Sequence, residues 1–331
     1  MMFISAGIRF EANVEALNSV ETTGNYSKHR RVPYLVKEDE FKIIYIPALS
    51  GESLAHAYQE ILVKEADIVY GGNGTAPICQ DCRRGEFFKS MNKAHLKGKV
   101  DVEKETKAET IEKGIVENCL VEDIGGFLYA EKPPVKRTSA FQFSYAVPIK
   151  RFSLLSVTEP QLHARHAQMR EMKKRSDREG AAEQMLYYVE VGTALYAFTF
   201  NLDLDSIGIS AFTGENLLHA EEKRRREQAA LRAFARLISS KQFGAKLSRF
   251  FPVGDIVGVY LSITEGPFSV TSPIYDFAAL TTAKRLKVIK EHFKEQIKLH
   301  IYDAIEDLSK LEEFDFVTIC ETPEEAVAKL L

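Results

Sequence analysis

The chain has 331 residues, 45% of them hydrophobic, and a formal net charge of −3. This is enough chain for a sizeable core and too much for one minimal domain, while four cysteines make no disulfide framework and favour a cytoplasmic setting. No apolar run approaches the ~18 residues of a membrane span, and Met1 to Phe10 carries Ser5, Gly7 and Arg9 where a signal peptide would be apolar, so neither is expected.

In chain order, residues 2 to 16 alternate toward a strand, with Ile8, Phe10, Ala12, Val14 and Ala16 in near period two. FKIIYI at 41–46 is a second short strand, stopped by Pro47. Ser50 caps a helix to about Ala66 whose inner face carries Leu54, Ala57, Tyr58, Ile61 and Leu62. Residues 67–139 read as an inserted, partly helical subdomain. Phe141, Phe143, Tyr145 and Val147 mark a further strand, and a polar, basic insertion occupies 155–185. A strongly apolar strand from Leu186 to Phe200, a long helix from Glu215 to Ser240 and a strand from Asp255 to Ile263 follow, with 264–331 as a C-terminal extension. With insertions removed, the order is strand, helix, strand, strand, helix, strand. That is the βαββαβ plan of an α+β, ferredoxin-like fold, which RNA-recognition modules share.

Charge is segregated along the chain. Nine acids between Asp303 and Glu325 oppose Lys310 and Lys329, whereas six cations crowd His163 to Arg178, so a basic surface is compatible with the acidic total. The basic run Lys28, His29, Arg30 and Arg31 reads as a loop between the first strand and the helix that Ser50-Gly51-Glu52-Ser53 opens. Loop cations beside the free N–H groups of a helix N-terminus suit a phosphate. Lys223 to Arg226, flanked by Glu221, Glu222 and Glu227, reads mainly as an exposed helical face with i,i+4 pairs.

The stretches VEALNSVETTGNYSKHR, YIPALSGESLAHAY, EDIGGFLYAEKPPVKRTS, VEVGTALYAFTFNLD and FGAKLSRFFPVGDIVGVYLS occur in this order over most of the chain. On them, the chain resembles the backbone subunit of archaeal type I-A CRISPR surveillance complexes (Cascade), within the repeat-associated mysterious protein superfamily. The resemblance implies an RNA-recognition-like core with finger-like and thumb-like insertions, and copies that polymerise along a guide RNA. It implies partners of guide and target nucleic acid, further copies of the chain and other Cascade subunits, with no membrane. RNA would be gripped by its backbone, leaving bases free to pair. The RNA-facing candidates are Asn25, Lys28, His29, Arg30 and Arg31, then Ser50, Gly51 and Ser53, and Arg137 beside Gly125, Gly126 and Lys136. His163, Arg165 and His166 open the basic, thumb-like element, and Lys246 and Arg249 precede the last core strand.

Cys79-Gln80-Asp81-Cys82 has metal-ligand spacing, and His95 and Cys119 would complete a tetrahedral set. A single close pair is a weak signal; structural zinc stands as the minority reading, free or redox-paired thiols as the majority one, and no cofactor is expected. The rival function is the target-RNA ribonuclease of type III backbone subunits, which needs an aspartate in the loop before the first helix. Thr22 to Arg31 holds no carboxylate, with Asn25, Tyr26 and Ser27 at the corresponding place, so no catalysis is expected. Walker, GxSxG and HExxH motifs are missing from the chain, and no helix-turn-helix pattern supports a duplex-DNA regulator.

Overall fold

A computed structural model describes residues 2–37, 39–72, 74–103, 105–166 and 184–331. The chain opens with β1 (Phe3–Glu15), β2 (Ser19–Thr23), β3 (Tyr26–His29), β4 (Arg31–Lys37) and β5 (Phe41–Pro47), then α1 (Gly51–Val69). Next come α2 (Gln80–Arg83), α3 (Ala108–Asn118), α4 (Leu120–Gly125), β6 (Phe127–Tyr129) and β7 (Val135–Arg137). The middle holds β8 (Phe141–Phe143), β9 (Val147–Pro148), β10 (Val157–His166), β11 (Gln184–Asp203), α5 (Ala220–Ser240) and α6 (Leu247–Phe250). Finally come β12 (Ile256–Thr264), α7 (Ala278–Phe293), β13 (Ile297–Asp303), β14 (Val317–Ile319) and α8 (Pro323–Ala328).

The architecture is mixed α+β around a mixed sheet of order β14-β13-β12-β1-β11-β3-β2, with β8, β9 and β10 also paired to β11. β1 is central and covered on both faces. Ile4, Ala6, Ile8, Phe10 and Ala12 enter the main core with Leu54, Tyr58 and Leu62 of α1 and Phe234 of α5. The two helices meet where Tyr58 donates its hydroxyl to Ala230 O at 3.0 Å, and Phe234 stacks on Phe200 of β11 with centroids 4.2 Å apart. Burial of such rings supplies most of the stabilisation available to a sheet-on-helix layer.

The opposite face of β1 carries Ser5, Gly7 and Arg9. Arg9 is fully buried, donating to Pro273 O at 2.8 Å and Tyr275 O at 2.6 Å and pairing with Asp303 and Glu306 at 3.1 and 2.7 Å. A buried guanidinium needs such a full set of acceptors, so residues 273–306 are tied to the first strand. β13 continues the sheet along β12 in antiparallel register, and Ala326 and Val327 of α8 join the main core.

β11, 20 residues long, links two regions. Its C-terminal half pairs with β1, β8 and β9. Its N-terminal half pairs with β10 from Val157↔Thr193 to His166↔Gln184, and in parallel with β3 at Tyr188↔Tyr26. Two sequence readings change here. Residues 157–166, read as the beginning of a basic insertion, form a strand because β11 supplies a ladder of backbone partners. The run 28–31 is not a loop: Lys28 and His29 end β3, Arg31 opens β4, and Arg30 alone joins them. The rest of the basic insertion, 167–183, lies outside the described residues.

Candidate nucleic-acid interface

Pro47 ends β5, and the next three residues aim the chain into α1. Ala48 N donates to Arg30 O at 3.0 Å, and Leu49 forms a bridge with Ala146. Ser50 is extended and accepts from Ser53 N at 3.2 Å, a side-chain cap on a 19-residue helix. Asn18 joins this terminus to the strands: its Oδ1 accepts from Arg30 Nε at 2.6 Å and from Ser50 N at 3.2 Å. Arg30 is thereby held beside the positive end of the α1 dipole. An open cleft of about 570 Å³ lies there, lined by Asn18, Ser19, Arg30, Ser53 and His56 together with Gly244, Ala245, Glu52 and Glu60. Asn18 is not among the residues that the sequence singles out, since a lone asparagine in a polar stretch carries no signal of bridging.

Beyond Ala245 the chain continues into a second group. Lys246 adopts a left-handed backbone conformation (φ 56°) and precedes α6. Arg249 donates to the Tyr187 hydroxyl at 3.2 Å. His163 stacks on Tyr187 with centroids 5.3 Å apart, and Phe250 meets it edge-on at 5.6 Å. Partial desolvation and then the like charge of Arg249 lower the pKa of Lys246, a repulsion that an anion between the two cations would relieve. Asn25 sits in the turn between β2 and β3 and donates to Leu186 O at 3.0 Å. Beside it Tyr26 stacks on Tyr188 at 5.9 Å. Cations and exposed aromatic faces together are what single-stranded nucleic acid requires.

The family profile described as CRISPR-associated negative auto-regulator DevR/Csa2 matches residues 6–281. This chain belongs to the DevR/Csa2 family. It is 34% identical over 312 residues to CRISPR-associated protein Cas7/Csa2 1 of Saccharolobus solfataricus, covering 89% of this chain and 93% of that protein. It is 32% identical over 338 residues to the CRISPR-associated aCascade subunit Cas7/Csa2 2 of the same organism, covering 99% of each. Among solved structures, a chain of a CRISPR RNA-guided surveillance complex, pre-nicking, shares the fold with a TM-score of 0.51 at 12% identity, over 99% of this chain and 98% of that one.

In this DevR/Csa2 chain the sequence-derived candidates separate. Arg30, Ser50 and Ser53 meet at the cleft. Lys28 and Arg31 are exposed on β3 and β4, with Arg31 Nη2 on Tyr45 O at 2.8 Å. Lys246, Arg249 and His163 gather at α6. Arg165 and His166 pair through their backbones with Met185 and Gln184, and their side chains lie outside the described residues.

Four candidates do not face a ligand. His29 is buried, with Nε2 2.6 Å from Glu15 Oε1 and Nδ1 2.8 Å from Arg30 O. Both partners accept, so the ring satisfies both as the doubly protonated cation. Burial pulls its pKa down, but the hydrogen bond to and charge of Glu15 outweigh this, and the net shift is upward. Gly192 makes room for the pair, because a Cβ there would collide with Glu15 Oε1. Arg137 is also buried: it bonds Asp123 O at 3.0 Å, Ile209 O at 2.5 Å and Ser206 O at 3.0 Å, and pairs with Glu112 at 3.2 Å and with the Asp123 carboxylate. Gly51 is required by the protein's own backbone, since a Cβ would stand 2.7 Å from Phe143 O. His95 leaves the cysteines and takes Asp81 at 2.8 Å. In the helical run 223–226, Arg226 is likewise buried against Asp123 at 2.9 Å and Glu222 at 2.8 Å rather than exposed, while Arg225 makes the expected i,i+4 pair with Glu221.

Proposed function

We propose that this DevR/Csa2 chain acts in CRISPR defence by holding a guide RNA along its sugar–phosphate backbone and presenting it for pairing. The observation that carries this is the continuity from the α1 terminus, with Arg30 beside it, through Gly244 and Ala245 to Lys246, Arg249, Tyr187 and His163. Amide donors, cations and stacking rings contact phosphate and base faces while leaving Watson–Crick edges free. The aCascade subunit among its relatives supports the same role. We read the core as ferredoxin-like: the order β12-β1-β11 with β8 and β9 beyond, and α1 and α5 packed on it, supports that plan.

Copies assemble side by side along the RNA in this reading. The β4–β5 hairpin supports it, because Leu35↔Ile43, Pro33↔Tyr45 and Lys37↔Phe41 share one face on which Leu35, Phe41, Ile43 and Tyr45 are 51 to 68% exposed. A second copy covering that face would remove a sizeable apolar patch from water. The chain has no catalytic role in this proposal. Two carboxylates beside the end of β3 are engaged: Glu15 holds His29, Tyr196 and Leu17 N, and Glu190 holds His29 N and Thr158.

The test is binding of labelled RNAs of arbitrary sequence across a salt series, with cleavage followed with and without divalent metal. Binding should be sequence-independent, and the RNA should stay intact. Lys28→Ala, Arg31→Ala and Arg249→Ala together should flatten the log–log salt slope by up to ~0.7 for each phosphate that is no longer neutralised. An unchanged slope, or evenly spaced metal-dependent cuts in a complementary RNA, would overturn the reading.

A further inference from the structure

Outside this interface, the described residues contain one cluster of metal-ligating side chains that the RNA role does not use. Cys79 stands just before α2, Cys82 within it, Cys119 between α3 and α4, and Glu122 in the first turn of α4. Their ligand atoms all lie within 4.8 Å of one another, and Cys82, Cys119 and Glu122 are buried. We propose that Cys79, Cys82, Cys119 and Glu122 bind a zinc ion that fastens the segment after α1 to the main core.

The geometry is close to what zinc takes. Four-coordinate zinc with sulfur ligands at ~2.3 Å sets those sulfurs ~3.8 Å apart, so small rotamer adjustments bring the set to bonding distance. Cys79 and Cys82, three residues apart, come from one turn, as paired zinc thiolates do. One backbone donor is already aimed at a ligand sulfur: Cys79 N lies 3.5 Å from Cys119 Sγ. Glu122 completes the set. One of its oxygens, Oε1, takes the Lys99 ammonium and lies 3.5 Å from Cys79 Sγ. The other, Oε2, is buried with no hydrogen-bond partner among the described residues. A carboxylate oxygen is costly to leave so, and a metal would satisfy it.

Charge favours the same conclusion. Lys99 is buried, bonding Ser90 Oγ at 2.7 Å as well as Glu122. Lys89 bonds Gly125 O at 2.7 Å and lies within electrostatic reach of Cys82, Cys119 and Glu122. With neutral thiols, two ammonium groups would face one carboxylate. With three thiolates, the carboxylate and Zn²⁺, the site carries a net charge of minus two, and the two lysines neutralise it. His95, the fourth ligand suggested by sequence, is held by Asp81 instead.

The consequence would be structural. Cys82 and Cys119 bracket residues 83–118, and both cysteines belong to the main core, so the ion would close that stretch of chain at its base. The test begins with the unaltered full-length protein, purified under reducing conditions, and elemental analysis for zinc. About one zinc per chain is expected for a closed four-ligand site. Replacement by Co²⁺ should give sulfur-to-cobalt charge transfer and the intense visible bands of a tetrahedral centre. Native thiol titration should find Cys79, Cys82 and Cys119 protected until a chelator is added. Lys99→Met, which keeps every ligand, should weaken zinc binding roughly 10- to 100-fold, and Cys82→Ser should abolish the cobalt spectrum. Zinc-free protein with no cobalt bands and a melting temperature indifferent to zinc and chelator would overturn the proposal, as would a Cys79–Cys82 disulfide under the same reducing conditions. Both outcomes are read on the unaltered chain, so they hold even where a variant fails to fold.

Discussion

His29 shows how one side chain's role depends on which face of its strand it occupies. In the run Lys28 to Arg31 it looks like one cation among four, yet β3 alternates and points Lys28 outward and His29 inward onto Glu15. Its raised pKa fixes the sign of a pH effect. The stability it contributes is fully present below the ordinary histidine value of 6.5 and is lost as pH rises through the higher folded value. His29→Gln should therefore destabilise the chain by about 1–3 kcal/mol, and the gap to the unaltered protein should be widest at acid pH and shrink as pH rises through the raised folded value. Denaturant unfolding at several pH values measures it; a gap that grew with pH would refute the assignment. Arg137 makes the contrasting case. Arg137→Ala leaves Glu112 without its guanidinium and Asp123 with that of Arg226 alone and should cost about 3–5 kcal/mol, while the salt slope of RNA binding by the folded protein stays the same. Arg30 and Arg137 are alike as letters in a sequence. Only tertiary placement tells which is buried among acids and which lines the cleft, so the two arginines are equal candidates in the sequence and differ only in the fold.

At the scale of elements, α1 was readable because two signals agree: a serine cap and an apolar stripe at helical spacing. Its beginning is set as much by β8 as by local preference. Phe143 O passes so close to Gly51 that Gly51→Ala should cost about 1–3 kcal/mol through overpacking. Thermal unfolding checks this, and an unchanged Tm would mean β8 can retreat. β4 and β10 were harder to see. Pro33 interrupts the first, and β10 carries Glu159, Pro160, Gln161, His163 and Arg165, residue types that favour loops. Both strands exist because a partner strand supplies the ladder, and single-sequence alternation does not contain that information. The acidic stretch from Asp303 likewise shows only charge in the sequence, whereas in the fold Asp303 and Glu306 hold Arg9 inside the sheet.

For the whole molecule, the exposed face of the β4–β5 hairpin carries the prediction about assembly. Replacing Phe41, Ile43 and Tyr45 together by threonine keeps β propensity and should leave Tm almost unaltered, since all three are more than 60% exposed. Length-dependent assembly on RNA, followed by sedimentation or mass photometry, should be lost while binding of a single copy to a short RNA persists. Assembly equal to that of the unaltered chain would assign the hairpin another partner.

β11 also determines how the molecule bears force. Tyr187, on the outer half of that strand, lies on the same continuous backbone that pairs with β1 from Ala194 to Asp203. Tension applied along the strand reaches that ladder as shear, so its hydrogen bonds are loaded together and must break together instead of unzipping in turn. A nucleic acid pulled while held at Tyr187 would draw on the strongest direction the sheet has.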